Sequence, residues 1–156
     1  MVRLDSHRLS RTIRATLDRS SRSDVAELAH YVLCAVLFHL AVGLVLMLAL
    51  EAPTQAIARD VLLVAYFIPV PALMIRRLHD QERSAAWVWL AVPGIALWLA
   101  RKVLALVPEP AMPFGIDQIA WPLDWFGGLA NLVLIVLLLL PGTKGPNRFG
   151  PDPRAG

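Results

Sequence analysis

Four long apolar runs constrain this chain more than any other feature: Tyr31–Leu50, Ile57–Ile75, Ala85–Ala100 with a continuation toward Val107, and Leu123–Leu140. In hydrocarbon a backbone must satisfy its own hydrogen bonds, so a crossing run is an α-helix or a strand of a closed barrel. At a rise of about 1.5 Å per residue, about 20 residues cross a core of roughly 30 Å. The first two runs fit directly, and the others need tilt or interfacial residues to complete the crossing. No period-two alternation persists over the length of a barrel strand. Composition agrees, with 57% hydrophobic and 17% charged residues, against about 45–50% and about 25% in soluble domains. The expected fold is an all-α membrane protein. Its core is a four-helix transmembrane bundle over 31–141, with spans at 31–50, 57–75, 85–107 and 123–140. A basic N-terminal tail over 1–30 and a Gly/Pro-rich tail over 142–156 flank it.

Charge outside the runs sets orientation. Arg3, Arg8, Arg11, Arg14, Arg19 and Arg22 precede the first run, Arg76, Arg77 and Arg83 lie between the second and third, and Lys144, Arg148 and Arg154 follow the fourth. Only Arg59, Arg101 and Lys102 fall on the other side, Arg101 and Lys102 being close enough to an interface to snorkel. The positive-inside rule then predicts a multi-pass membrane protein with both termini and the "RRLHD" loop cytoplasmic. The first run exceeds the apolar core of a signal peptide and follows a long polar tail, so it reads as a retained anchor. Trp87, Trp89, Trp98, Trp121 and Trp125 suit interfacial belts. The net charge of +3 lies beside apolar runs rather than among aromatics. The expected partner is therefore the bilayer with its anionic headgroups, not nucleic acid.

The N-terminal tail carries Leu9, Ile13 and Leu17 at i, i+4 and i+8 among arginines, the pattern of an amphipathic helix on the inner leaflet. A flexible tail whose arginines only enforce topology accounts for it equally well. The segment Val107–Pro122 reads as an irregular interfacial loop, too rich in proline for a fifth span.

Polar residues at the edges of the runs supply the candidate sites. Arg76 and Asp80 stand one turn apart in "RRLHDQERS", with His79 three residues from Arg76, so the three share a helix face. Arg77 or Arg83 could hold a phosphate and His79 could accept a proton; an interfacial salt-bridge cluster is the alternative. Inside the spans, His39 lies on a stripe with Ala35 and Gly43, open to a proton-transfer role or to an interhelical hydrogen bond, with Asn131 as candidate partner. Pro69 and Pro71 remove backbone donors from the second span and leave acceptors near Ala65 and Phe67. Pro93-Gly94 repeats the break in the third. A tight turn in "GTKGPNRFGPDP" would fold Asn147, Arg148 and Phe149 back on the cytoplasmic face. Cys34 is the only cysteine, and the four His residues lack ligand spacing, so neither a metal nor a cofactor is expected.

"RRLHD" followed by "RS" and a Trp, together with "GTKGPNRFGPDP", resembles the DUF805 family of small bacterial inner-membrane proteins. That family's pattern runs RRLHD-x-G-R-S-G-W-W and later G-x-N-R-[FY]-G-P-D-P. "RSSR" at Arg19–Arg22 and the Pro93-Gly94 pair are further marks, and the likeness extends from about Arg19 to Pro153. Glu82, Ala85 and Ala86 stand where the family has Gly, Gly and Trp, which predicts a more helical connection after Asp80. The resemblance implies location and architecture, not chemistry. The three cytoplasmic motifs are expected to meet, with Asp80 accepting from Arg148 or Arg22.

No catalytic residue is assigned, because no nucleophile, base and oxyanion constellation and no nucleotide motif is present. The leading expectation is a non-enzymatic interaction or lipid-binding module with a polar cytoplasmic face, which would leave room for a homo-oligomer or a membrane-protein partner. An oligomeric transporter or channel subunit, and a membrane enzyme acting on a phosphorylated lipid, are the alternatives.

Overall fold

The computed structural model describes residues 6–104 and 116–155. Its helices are α1 (Ser6–Arg14), α2 (Val25–Ala49), α3 (Ala52–Phe67), α4 (Val70–Asp80), a 3₁₀ segment (Ala85–Ala91), α5 (Val92–Leu104) and α6 (Ile116–Leu139). Among the described residues the only β pairing is an isolated bridge between Asn147 and Gly150. Four helical stretches are long and apolar enough to cross a membrane: Val25–Ala49, Thr54–Asp80, Ala85–Leu104 and Trp121–Leu139. The chain divides into two compact units. One comprises the described residues through Ser84 with those from Pro141 onward, and the other those of Ala85–Leu140.

In the first unit, α2 begins six residues before the expected span. Asp24 caps it, its side chain accepting from the Glu27 backbone N–H at 2.7 Å, so residues assigned to the basic tail form the first turns of the helix. The second span is broken rather than merely bent. Pro69 and Pro71 cannot donate, so α3 ends at Phe67 and α4 starts at Val70. At the break, Ile68 N–H reaches Ala65 O, which Pro69 leaves without its i+4 donor, at 3.4 Å, and the Tyr31 hydroxyl of α2 donates to Tyr66 O at 2.6 Å. A phenol on the neighbouring helix thus donates to a carbonyl at the break, as lipid cannot.

The end of α4 departs from the more helical connection expected there. Arg83 N–H bonds Leu78 O at 2.9 Å and Glu82 N–H bonds His79 O at 3.1 Å, while Glu82 takes φ +58°. This is the Schellman closure, with a glutamate in the left-handed position that glycine normally fills. The tight turn persists because paired carbonyls outweigh the cost of a Cβ at positive φ.

In the second unit, Pro93 sits in the first turn of α5, and the seven residues before it wind as a 3₁₀ helix. Proline is accepted where no intrahelical donor is needed, so the α-helix starts here instead of kinking. The α6 helix starts at Ile116, earlier than the expected 123, because Pro122 removes one hydrogen bond and the apolar sequence continues the helix around it. The loop expected over 107–122 is thus helical from 116; its earlier part, like Arg3, lies outside the described residues. A Cβ on Gly94 would overlap the Asn131 amide, and one on Gly127 would lie 3.3 Å from the Gly94 backbone N. Small residues therefore set the close approach of α5 and α6. Arg101 pairs with Asp124 between the same two helices, and Lys102 lies 5.9 Å from the Trp98 ring centroid.

Glu82→Gly should relieve the left-handed strain and raise stability by about 1 kcal/mol. Thermal unfolding in detergent micelles would show a higher midpoint; an unchanged or lower one would contradict the strained-cap account.

Candidate functional site

The charged residues of "RRLHD" are paired in the fold. Arg77 donates to Asp80 Oδ2 at 2.6 Å, and Leu78 is fully buried. Asp80, also buried, accepts on Oδ1 from Arg22 Nη2 at 2.8 Å and Nε at 3.1 Å. Arg22 then reaches the C-terminal segment, donating to Thr143 O at 2.7 Å, Gly145 O at 2.6 Å and Gly150 O at 3.2 Å. One planar guanidinium therefore ties the segment before α2, the end of α4 and the chain after Pro141 to one carboxylate. Lysine, with three donors on a point charge, could not span them.

The C-terminal segment completes the closure. Thr143 donates its backbone N–H and its hydroxyl to Asp80 O at 2.8 and 2.9 Å. Asn147 Nδ2 donates to His79 O at 3.0 Å, and its backbone exchanges two hydrogen bonds of 3.0 Å with Gly150 across a tight turn. Gly145 and Gly150 take φ +77° and +128° there, which is why the turn needs them. A Cβ at Gly142 would overlap the Asp80 carboxylate, so only glycine lets the chain pass. The Phe149 ring stacks on His79 with centroids 3.8 Å apart and planes 4° from parallel, and Arg148 covers Phe149 at 4.7 Å. Asp152 accepts from Arg154 Nε at 2.7 Å and from Gly145 N–H at 2.9 Å. The Arg154 hydrogen bond, foremost, holds its carboxyl below the usual range. Its contribution to docking is complete above the ordinary aspartate value of about 3.9 and fades only as pH falls through the lower folded value.

A second buried carboxylate, Glu27 in the first turn of α2, accepts from Thr12 Oγ1 at 2.8 Å, Ser23 Oγ at 3.0 Å and Arg76 Nη2 at 3.0 Å. Arg76 therefore bonds Glu27 and not Asp80, correcting the expected pairing along α4; Asp80 is filled by Arg77 and Arg22. Arg148 likewise donates to Glu82 O at 2.7 Å, and it is Arg22 that reaches Asp80. Arg83 bonds the Gln81 side chain at 3.2 Å. Of the expected cluster, Arg76, Arg77, His79, Asp80 and Asn147 are brought together, while Arg83 and Arg148 lie at its rim.

The intramembrane candidates take other contacts. His39 meets the Tyr66 ring edge-on at 5.8 Å, and Asn131 donates to Gly127 O in its own helix at 2.9 Å. Among the described residues no group of three or more His, Cys, Asp or Glu is placed to hold a metal. Arg22 was legible only through "RSSR", and Glu27, Thr12, Thr143 and Arg154 carried no local signal beyond their polarity.

The family described as Protein of unknown function (DUF805) matches residues 16–151, which span the Arg22 segment, "RRLHD" and the Asn147–Gly150 turn. The chain belongs to the DUF805 family. Among its relatives in Escherichia coli (strain K12), inner membrane protein YhaI is 35% identical over 111 residues, 71% of this chain and 64% of that protein. Inner membrane protein YhaH is 34% identical over 88 residues, 56% of this chain and 46% of that protein. Uncharacterized protein YiiR is 32% identical over 94 residues, 58% and 56% of the two chains. The match thus spans less than two thirds of each relative's length. No solved structure matches the chain. Family and apolar helices together make this DUF805 member a multi-pass integral protein of the inner membrane.

Asp80→Asn should cost about 3–5 kcal/mol, because it strands two buried guanidinium groups without a counter-charge. Arg148→Ala, at the exposed rim, should cost no more than about 1 kcal/mol. Chemical unfolding in micelles compares the two; equal losses would contradict the hub.

Proposed function

We propose that this protein is a non-enzymatic inner-membrane binding module whose polar face, with both termini, lies in the cytoplasm. The observation that carries this reading is the internal consumption of the buried charges. Asp80 is occupied by Arg22 and Arg77, Glu27 by Arg76, Thr12 and Ser23, and the His79 ring is covered by Phe149. A general base needs an acceptor within reach of a substrate proton, and a phosphate-holding arginine needs free donors. Here Arg22 and Arg77 act as scaffold on Asp80, and Arg76 is anchored on Glu27 through Nη2, fixing the shape of a face whose exposed arginines stand around it.

Orientation is supported by the arginine distribution: the three segments tied by Asp80 are the three that carry the positive excess. That side faces cytoplasmic partners and inner-leaflet headgroups. In a Cys34→Ala background, Arg19→Cys and Ala155→Cys should be labelled by a membrane-impermeant maleimide in inverted vesicles but not in intact spheroplasts. Labelling in spheroplasts would sink the orientation.

A further inference from the structure

Beside the Asp80 hub, α1, the segment that follows it and Arg76 of α4 line an open cleft of about 590 Å³. Its wall carries Arg11, Arg14 and Arg76, with Ser10, Ser21 and Asp18 completing it. Arg76 is the built part: 1% exposed, anchored through Nη2 on Glu27, and with its Nε buried without an acceptor among the described residues. A buried charged donor without an acceptor is costly, and an anion in the cleft would supply one once a turn of the Arg76 side chain brings Nε to the surface. Arg11 approaches Glu27 only at 3.8 Å, and Arg14, exposed, has no ion pair among the described residues. The single carboxylate on the wall, Asp18, is already engaged, its oxygens accepting from Ser20 and Ser21 at 2.5 to 3.3 Å. The lining thus carries three guanidinium groups and one saturated carboxylate, with Glu27 behind it bonded to Arg76 and 3.8 Å from Arg11.

We propose that this cleft binds a phosphate group, held by Arg11, Arg14 and Arg76. Guanidinium forks match the several oxygens of a phosphate better than a single carboxylate does. Of the arginines that the sequence suggests for a phosphate, Arg77 and Arg83 are engaged elsewhere, and Arg76 is the one that lines this cleft. Ile13 and Leu17 are 57% and 85% exposed on the same segment as Arg11 and Arg14. Apolar side chains beside a basic cleft fit a bilayer surface, so an anionic phospholipid headgroup is one source of the phosphate and a soluble phosphate the other. The proposal rests on reading this face as the binding face, yet it is measured in micelles and nanodiscs, where orientation plays no part.

Two probes test it on the full chain. Inorganic phosphate is titrated calorimetrically, and native mass spectrometry follows protein released from nanodiscs holding equal phosphatidylglycerol and phosphatidylcholine. A retained phosphatidylglycerol adduct identifies a headgroup site; saturable inorganic phosphate without lipid preference identifies a soluble ligand. Either supports the cleft, provided that Arg14→Ala weakens binding about tenfold or more and Arg14→Lys weakens it less. Arg14 holds no ion pair among the described residues, so the Arg14→Ala unfolding midpoint should match wild type. Folded wild type that binds neither probe, or undiminished binding in Arg14→Ala, overturns the proposal while leaving the topology result as it stands.

Discussion

A carboxylate removed from water must be paired, and in this protein the pairing of Asp80 governs everything around it. Its side chain is 1% exposed, and Arg22 and Arg77, equally buried, reach it from two directions. Such an arrangement does not by itself make a protein more stable than a packed apolar core would, because desolvation offsets much of the Coulomb gain. It does make the three contributing segments interdependent. Arg22 needs Asp80 for its charge and the carbonyls of Thr143, Gly145 and Gly150 for its remaining donors. The C-terminal segment needs Arg22 because the Gly145 carbonyl would otherwise be half-buried without a donor, whereas Gly150 O also accepts from Asn147 N–H and Thr143 O from Arg154.

The same accounting, applied to backbone, explains the membrane-embedded parts. Where Pro69 and Pro71 break the second span, the Tyr31 hydroxyl takes the Tyr66 carbonyl. Where Gly94 and Gly127 bring α5 and α6 close, van der Waals contact replaces the hydrophobic drive that lipid cannot provide. The polar hub and the broken span lie in one unit, so a change at α3–α4 is felt by the helix that ends in Asp80.

Much of this was legible in the sequence. The apolar runs dictated four crossings, and the turn around Asn147 followed from its Gly and Pro content. Boundaries were less legible: Val25–His30 looked like tail because the cap formed by Asp24 outweighs their polarity only once Glu27 finds Arg76. The partners of Arg76 and Arg77 were hidden for a related reason. Helical spacing brings Arg76 and Asp80 to one face, but it says nothing of a carboxylate 49 residues away. Glu82 shows the opposite limit, since a residue-by-residue reading predicts loss of the turn while the carbonyls at the end of α4 preserve it.

The central claim is that the chain after Pro141 is part of the folded face and not a loose end. Hydrogen exchange at the Thr143 amide, in lipid nanodiscs, addresses it most directly, because that amide bonds Asp80 O at 2.8 Å. The account predicts exchange as slow as that of the α4 amides. Exchange at the rate of an unstructured chain would contradict it.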